Sequence, residues 1–384
     1  MNVSNDDNPP LILDVRNLSV DYITRGEPPT HALQAVSFQL HRGEILGIVG
    51  ESGCGKSTLM LSLMRLLPAA GRIVAGEVNF LGHDLLSFTE NEMADVRWKN
   101  ISMIFQGAMN ALNPVRTVGS QIAEPIARHT MSTSASWLPQ ARVSAPTNGF
   151  HGQPNGLQSV NPTRTVGSQL AETIRAHEQI ADKAILRRKV DELLDLVGIN
   201  PNRREQYPHQ YSGGMRQRAM IAMALACYPD VVIADEPTTA LDVMVQAQIL
   251  ELLANLRKEL GLSILFVTHD LGVVAEMCDT VLVMYGGVTA EYADVDTIFN
   301  APQHPYTQQL LHAFPDVTRP GEKLVSIPGY PPALNPPPSG CRFAARCPAV
   351  FDRCHVEQPA IHQVACDHFA SCHLLDSATA GSKQ

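Results

Sequence analysis

Apolar and polar residues alternate through LILDVRNLSVDYI, residues 11–23, with the period of a strand buried on one face. AVSFQL and GEILGIVG follow as two further strands, and KSTLMLSLMRLL then switches to helical spacing. Three later runs, VVIAD, SILFVTH and VLVMY, are apolar almost throughout, as strands covered on both faces are. Helical stretches such as VMVQAQILELLANLRKEL separate them, so the pattern predicts an α/β layered domain with a largely parallel sheet. Between Gln106 and Ala226 the strand signal fades and helices dominate, most clearly in DKAILRRKVDELLDLVGI, which reads as a helical insertion into the sheet domain. From Pro315 the chain turns proline-rich (IPGYPPALNPPPSG) and then cysteine-rich, the pattern of a linker leading to a small appended module.

One repeat interrupts this order. NPVRTVGSQIAEPI begins at Asn113 and returns as NPTRTVGSQLAETI at Asn161, 48 residues further on. Two copies make no solenoid, and the stretch between them, rich in Ser, Pro, Gly and Asn, reads as an exposed or disordered loop. A surface insertion costs little closure entropy, so a tolerated local duplication is favoured over a new binding element. Either copy could fill the core position.

Composition narrows the class. With 384 residues, 45% of them apolar, the chain can bury the core of one large or two moderate domains. Its net charge of -9, without a block of Lys or Arg, lacks the electrostatic footprint of a nucleic-acid binder. No window holds about 18 consecutive apolar residues, so no membrane span is expected. The first residues, MNVSNDDNPP, carry acids and prolines where an export signal needs a basic start and an apolar run; a cytosolic chain that meets a membrane through a protein partner is expected.

GESGCGKST, residues 50–58, fits G-x-x-x-x-G-K-[ST] between an apolar strand and a helix. Gly50, Gly53 and Gly55 let backbone N–H groups, with that of Ser52, close round a β-phosphate, and the helix N-terminus, with Thr58 near its start, adds positive potential. Lys56 reaches the β and γ oxygens, and the Ser57 hydroxyl can ligate Mg²⁺. VVIADEP ends a buried strand in two acids, suiting Asp235 to Mg²⁺ and Glu236 to general-base work on water. FVTHD sets His269 at another strand end, where it can reach the γ-phosphate or serve as an ordinary turn residue.

The phosphate loop, YSGGMRQR, ADEP and THD, in this order, resemble the nucleotide-binding subunits of ABC transporters over roughly residues 11–300. The resemblance implies an ABC-type P-loop NTPase of class α/β in residues 1–300. Its helical subdomain, about 107–226, contains the inserted, partly duplicated segment 127–160, just after Gln106, where relatives contact the transmembrane partner. It implies an ATPase that works as a head-to-tail dimer. Ser212, Gly213 and Gly214 offer a hydroxyl and bare N–H groups at a helix start, an anion site that in the family caps the γ-phosphate of ATP on the partner's loop. By the same match Gln106 senses Mg²⁺ and the attacking water, Asp242 contacts the dimer partner, and Tyr22 stacks on adenine, with ordinary strand packing as the alternative for Tyr22.

HPYTQQLLHAFP, from His304, and IPGYPPALNPPPSGCRFAARCP resemble the C-terminal extension, here 301–384, of ATPase subunits from the oligopeptide, dipeptide and nickel permease group. That implies a peripheral subunit on the cytoplasmic face of the membrane that spends ATP to import peptides. Its implied partners are a second ABC ATPase subunit, two transmembrane permeases and, indirectly, an extracytoplasmic solute-binding protein, with no nucleic acid. Nickel or another small solute is the alternative cargo. Soluble ABC ATPases of nucleic acid or the ribosome form another class, but they show paired cassettes, coiled-coil inserts or basic surfaces, which this sequence lacks. A redox-sensing module built on the tail is the third.

Five of the eight cysteines lie in that tail. Reduced cytosolic thiols argue against a disulfide set, leaving a metal or plain buried thiols. The family match places a 4Fe-4S cluster, with zinc as the other candidate, on Cys341, Cys347, Cys354 and Cys366, and leaves Cys372 surplus.

Overall fold

A computed structural model describes residues 9–105, 112, 116–130, 183–239, 241–313 and 326–376. Twelve strands occur among them. The first six are β1 (Leu11–Tyr22), β2 (Thr30–His41), β3 (Ile45–Val49), β4 (Gly71–Phe80), β5 (His83–Asp84) and β6 (Ile101–Ile104). The rest are β7 (Val231–Asp235), β8 (Ser263–Val267), β9 (Thr280–Tyr285), β10 (Val288–Asp294), β11 (His362–Ala365) and β12 (His368–Ala370).

They form two sheets. The larger has the order β11-β12-β10-β9-β3-β8-β7-β6, parallel from β9 to β6, as the apolar runs predict. Every residue of β3, β7 and β8 is buried because the sheet is covered on both faces. Alternate residues serve opposite cores: Leu46, Ile48, Ile233 and Leu265 face one, and Ile45, Ala234, Ile264 and Phe266 the other. The first core is closed by a four-stranded antiparallel sheet, β2-β1-β4-β5, through Leu18, Val20, Phe38 and Phe80. The two early strands read from the sequence therefore leave the parallel sheet and form this separate layer.

Helices close the other core. Val118–Thr130 contributes Val118, Ile122 and Ile126 at four-residue spacing, against Val190, Leu193 and Leu194 of Lys183–Leu196 and Met220 and Ile221 of Gly213–Ala224. The described part of the first repeat copy, residues 116–126, thus packs in the core; the second copy, and most of the inserted segment, lie outside the described residues. The tail is not merely appended. Strand β12 pairs with β10, Glu291 opposite Ala370 and Tyr292 opposite Phe369, so the tail hairpin extends the central sheet. Among the described residues no helix is long and apolar enough to cross a membrane.

Candidate nucleotide site

The phosphate loop leaves β3 at the C-terminal edge of the parallel strands and runs into the helix Lys56–Leu63. Its turn depends on glycine at two points. Gly55, with φ of 104°, caps the helix in the left-handed region, and a Cβ on Gly50 would fall 2.2 Å from the Met284 carbonyl oxygen. The buried Lys56 ammonium donates to the carbonyls of Gly50 at 2.6 Å and Glu51 at 3.2 Å, inside the curve of the loop.

Two strand ends deliver side chains beside it, the acids Asp235 and Glu236 from β7 and His269 from β8. Asp235 ends β7, and the Ser57 hydroxyl hydrogen-bonds its carboxylate. Burial, then the neighbouring Glu236, pushes the Asp235 carboxyl above the ordinary range, while Ser57 and Lys56 pull it back. A buried carboxylate of raised pKa next to a hydroxyl is a donor set that a divalent cation fits. Glu236 follows with φ of 47°, a left-handed backbone that costs a non-glycine residue about 1–3 kcal/mol and is characteristic of functional sites. One carboxylate oxygen lies 3.3 Å from His269 Nδ1 and the other accepts from Thr239 Oγ1 at 2.9 Å. His269 is largely exposed, so this corner opens to solvent. The sequence-derived residues Lys56, Ser57, Asp235, Glu236 and His269 thus converge on one loop mouth.

Tyr22 ends β1 with its hydroxyl 3.3 Å from Thr58 Oγ1, so the ring stands beside the first turn of the same helix. Ser212 and Asp242 each cap a helix, accepting from Met215 N and Val245 N, and Gly214 lies against Val245, where a Cβ would meet Cγ1 at 2.7 Å. These two helix starts are therefore neighbours. Gln106 lies outside the described residues.

The tail cysteines divide differently from the sequence-based set. Cys341, Cys347, Cys354 and Cys372 line one small cavity with Phe343 and His304. Cys366 is exposed at the turn between β11 and β12, its thiol 3.4 Å from Asp367, so the structure does not bring it to the other three. The β12 pairing explains the exchange: it carries the residues after Ala370 back under the turn that holds Cys341. Burial pushes Cys341 up to about 11, with the three neighbouring thiols adding to it. All eight cysteines are free thiols, and among the described residues no three His, Cys, Asp or Glu side chains stand close enough to hold a metal ion.

Sequence reading missed the back of the loop. Arg346, from the tail, grips the Glu51 carboxylate at 2.7 and 3.0 Å, and the Tyr306 hydroxyl accepts from Glu51 N at 3.0 Å. The only sequence signal was the "HPYT" stretch itself.

Residues 33–239 match the family model described as ABC transporter, and residues 290–354 match that for the oligopeptide/dipeptide transporter C-terminal region. The chain is 42% identical over 368 residues to the dipeptide transport ATP-binding protein DppD of Bacillus subtilis, covering 95% of each chain. With the protein of the same name from Escherichia coli it shares 39% over 370 residues, covering 96% of this chain and 98% of the other. In fold it is similar to the ATP-binding cassette MJ0796, solved as a dimer in a post-hydrolysis state bound to ADP and Pi. That likeness has a TM-score of 0.54 at 24% identity and covers 74% of this chain and 99% of that one.

Proposed function

The chain belongs to the ABC transporter family as an ATP-hydrolysing subunit, and from that premise we propose that it energises the import of peptides through a membrane transporter. The observation that carries the cargo assignment is the tail, which matches the oligopeptide/dipeptide transporter region and is built into the same sheet as the nucleotide site. In this reading the subunit sits on the cytoplasmic face of two permeases and pairs with a second ATPase subunit, while an extracytoplasmic protein delivers the peptide.

The loop N–H groups and Lys56 bind the β- and γ-phosphates, and Tyr22 lies under the adenine. Mg²⁺ would be held by Ser57 and Asp235, with Gln106 assigned by its motif, and when bound neutralises phosphate charge. Glu236 orients water and takes its proton as the water oxygen attacks the γ-phosphorus, and the bond to the β-γ bridging oxygen breaks to leave ADP. The 3.3 Å contact with His269 supports this role, since it fixes the carboxylate's direction. Ser212, Gly213 and Gly214 meet the γ-phosphate on the opposing subunit and Asp242 lies at that junction, so ATP closes the pair and hydrolysis releases it.

For the tail we propose ligation of an iron-sulfur cluster or zinc by Cys341, Cys347, Cys354 and Cys372: the four line one apolar cavity, and their thiols, which do not stand within ligating reach of one ion here, would have to draw together around it. Anaerobic purification with iron and zinc assays tests it: Cys372→Ser loses the metal and Cys366→Ser keeps it. A colourless, metal-free, folded tail ends the proposal.

Uptake in cells lacking the gene tests the cargo. Labelled dipeptide uptake is lost, and is restored by the wild-type gene but not by Lys56→Ala. Intact peptide uptake with lost nickel uptake would move the assignment to the metal importers, and copurification with ribosomes or nucleic acid, without permeases, would overturn transport.

A further inference from the structure

The turn Cys341–Cys347, CRFAARC, carries two arginines that reach opposite ends of the phosphate loop. Arg346 is the more completely bound. Its Nε donates to Pro328 O at 2.9 Å, Nη1 to Glu51 Oε2 at 2.7 Å and Tyr285 OH at 3.1 Å, and Nη2 to Glu51 Oε1 at 3.0 Å and Ile327 O at 3.1 Å. All five N–H groups of the guanidinium therefore have an acceptor, and its side chain is 5% exposed. Glu51 is held at three points: its carboxylate by Arg346, its N–H by Tyr306 and its carbonyl by Lys56.

At the other end Arg342 bonds the Gly286 carbonyl and the Gln34 side chain. The adjoining Gly287 donates its N–H to Cys54 O at 3.0 Å and accepts from Gln34 N at 2.8 Å. Phe343 packs edge-on to Tyr285 and Tyr306 at 5.1 and 5.4 Å between centroids, the two tyrosines lie tilted to each other at 4.5 Å, and the trio wedges the turn against the loop.

We propose that Arg346 and Arg342 are positioning residues for the phosphate loop, so that the ATP affinity of the cassette depends on the tail turn. Neither touches the reacting atoms. They fix the segment from Glu51 to Cys54, whose N–H groups must converge on one anion, and a loop free to sample other shapes binds that anion more weakly. The inference rests on the ATP site described above and adds a dependence that site alone does not require.

The test is ATP binding and steady-state ATPase kinetics on the full-length chain. Arg346→Ala weakens ATP binding on the order of tenfold, with kcat at saturating ATP within about twofold of wild type. Arg346→Lys keeps the charge but not the five-bond fork and recovers only part of the affinity. Arg346→Ala combined with Glu51→Gln is no worse than Arg346→Ala alone, the mark of one shared interaction. Unchanged ATP affinity in a folded Arg346→Ala, full recovery by Arg346→Lys, or additive losses overturn the proposal. If Arg346→Ala does not fold, Glu51→Gln decides by itself, since it keeps shape but loses half of the paired charge; unchanged or tighter ATP binding is then the contrary result. Lys56→Ala separates the two readings: if it still binds ATP at wild-type affinity, the phosphate site is wrong, whatever Arg346 does.

Discussion

Replacing Glu291 by Ala should detach the tail hairpin from the central sheet. The Glu291 side chain is fully buried, and three donors converge on its carboxylate: Gln303 N at 2.7 Å and His368 Nε2 at 2.8 Å on one oxygen, and His304 N at 3.0 Å on the other. Each stranded donor costs about 1–3 kcal/mol; water entering the space left by the side chain recovers part, so the loss is about 3–5 kcal/mol. Glu291→Gln is the graded control. A carbonyl oxygen in place of the doubly bonded one keeps two donors satisfied, but the amide then faces His304 N–H, at a cost of about 1–3 kcal/mol. Native-state hydrogen exchange at the β12 amides reads this local opening, and in Glu291→Ala their protection falls by about a hundredfold or more. The amides of β3 and β8, on the far side of β9 and β10, should change far less. Unchanged β12 protection, or equal losses in Glu291→Gln and Glu291→Ala, would refute the clamp.

Asp235→Asn should stabilise the protein at neutral pH while abolishing Mg²⁺-dependent hydrolysis. The folded chain holds the Asp235 proton more tightly than the unfolded chain does, so stability falls as pH rises from the ordinary carboxylate range through the raised value; Asn removes that loss, and thermal unfolding at pH 7 and pH 4 checks that the gain appears only at the higher pH. Tyr22→Phe, which forfeits only the 3.3 Å contact with Thr58, should bind ATP almost as wild type, whereas Tyr22→Ala weakens it about tenfold through the lost ring, as a fluorescent-nucleotide titration would register.

Much of the nucleotide site was legible because its chemistry fixes residue types at fixed spacing. Gly50 to Thr58 must close round a phosphate, and apolar strands ending in acids must bring Asp235, Glu236 and His269 to the same sheet edge. The parallel strands were legible for a related reason: burial on both faces leaves runs such as ILFV, residues 264–267, with no polar residue inside them. What was hidden depends on chain return. Glu51 and Arg346 meet across 295 residues, and no local period reports such a pairing. The β11–β12 hairpin has strands of four and three residues, one largely exposed, too short to show alternation. That hairpin also decides which thiols meet: the family resemblance pointed to Cys366, whereas the fold carries Cys372 to Cys341, Cys347 and Cys354. Strand β4 was missed because RIVAGEVNF breaks its alternation with Gly76 at φ of 108°, a bulge against Leu18 that only glycine accommodates.

Glu236→Gln asks whether Glu236 is the base with which this chain hydrolyses ATP. With the protein assembled on its permeases, the variant should retain ATP at wild-type affinity while turnover falls at least about a hundredfold, the usual contribution of a positioned base. Normal turnover in Glu236→Gln, with ATP bound and the protein folded, would show that Glu236 is not the base.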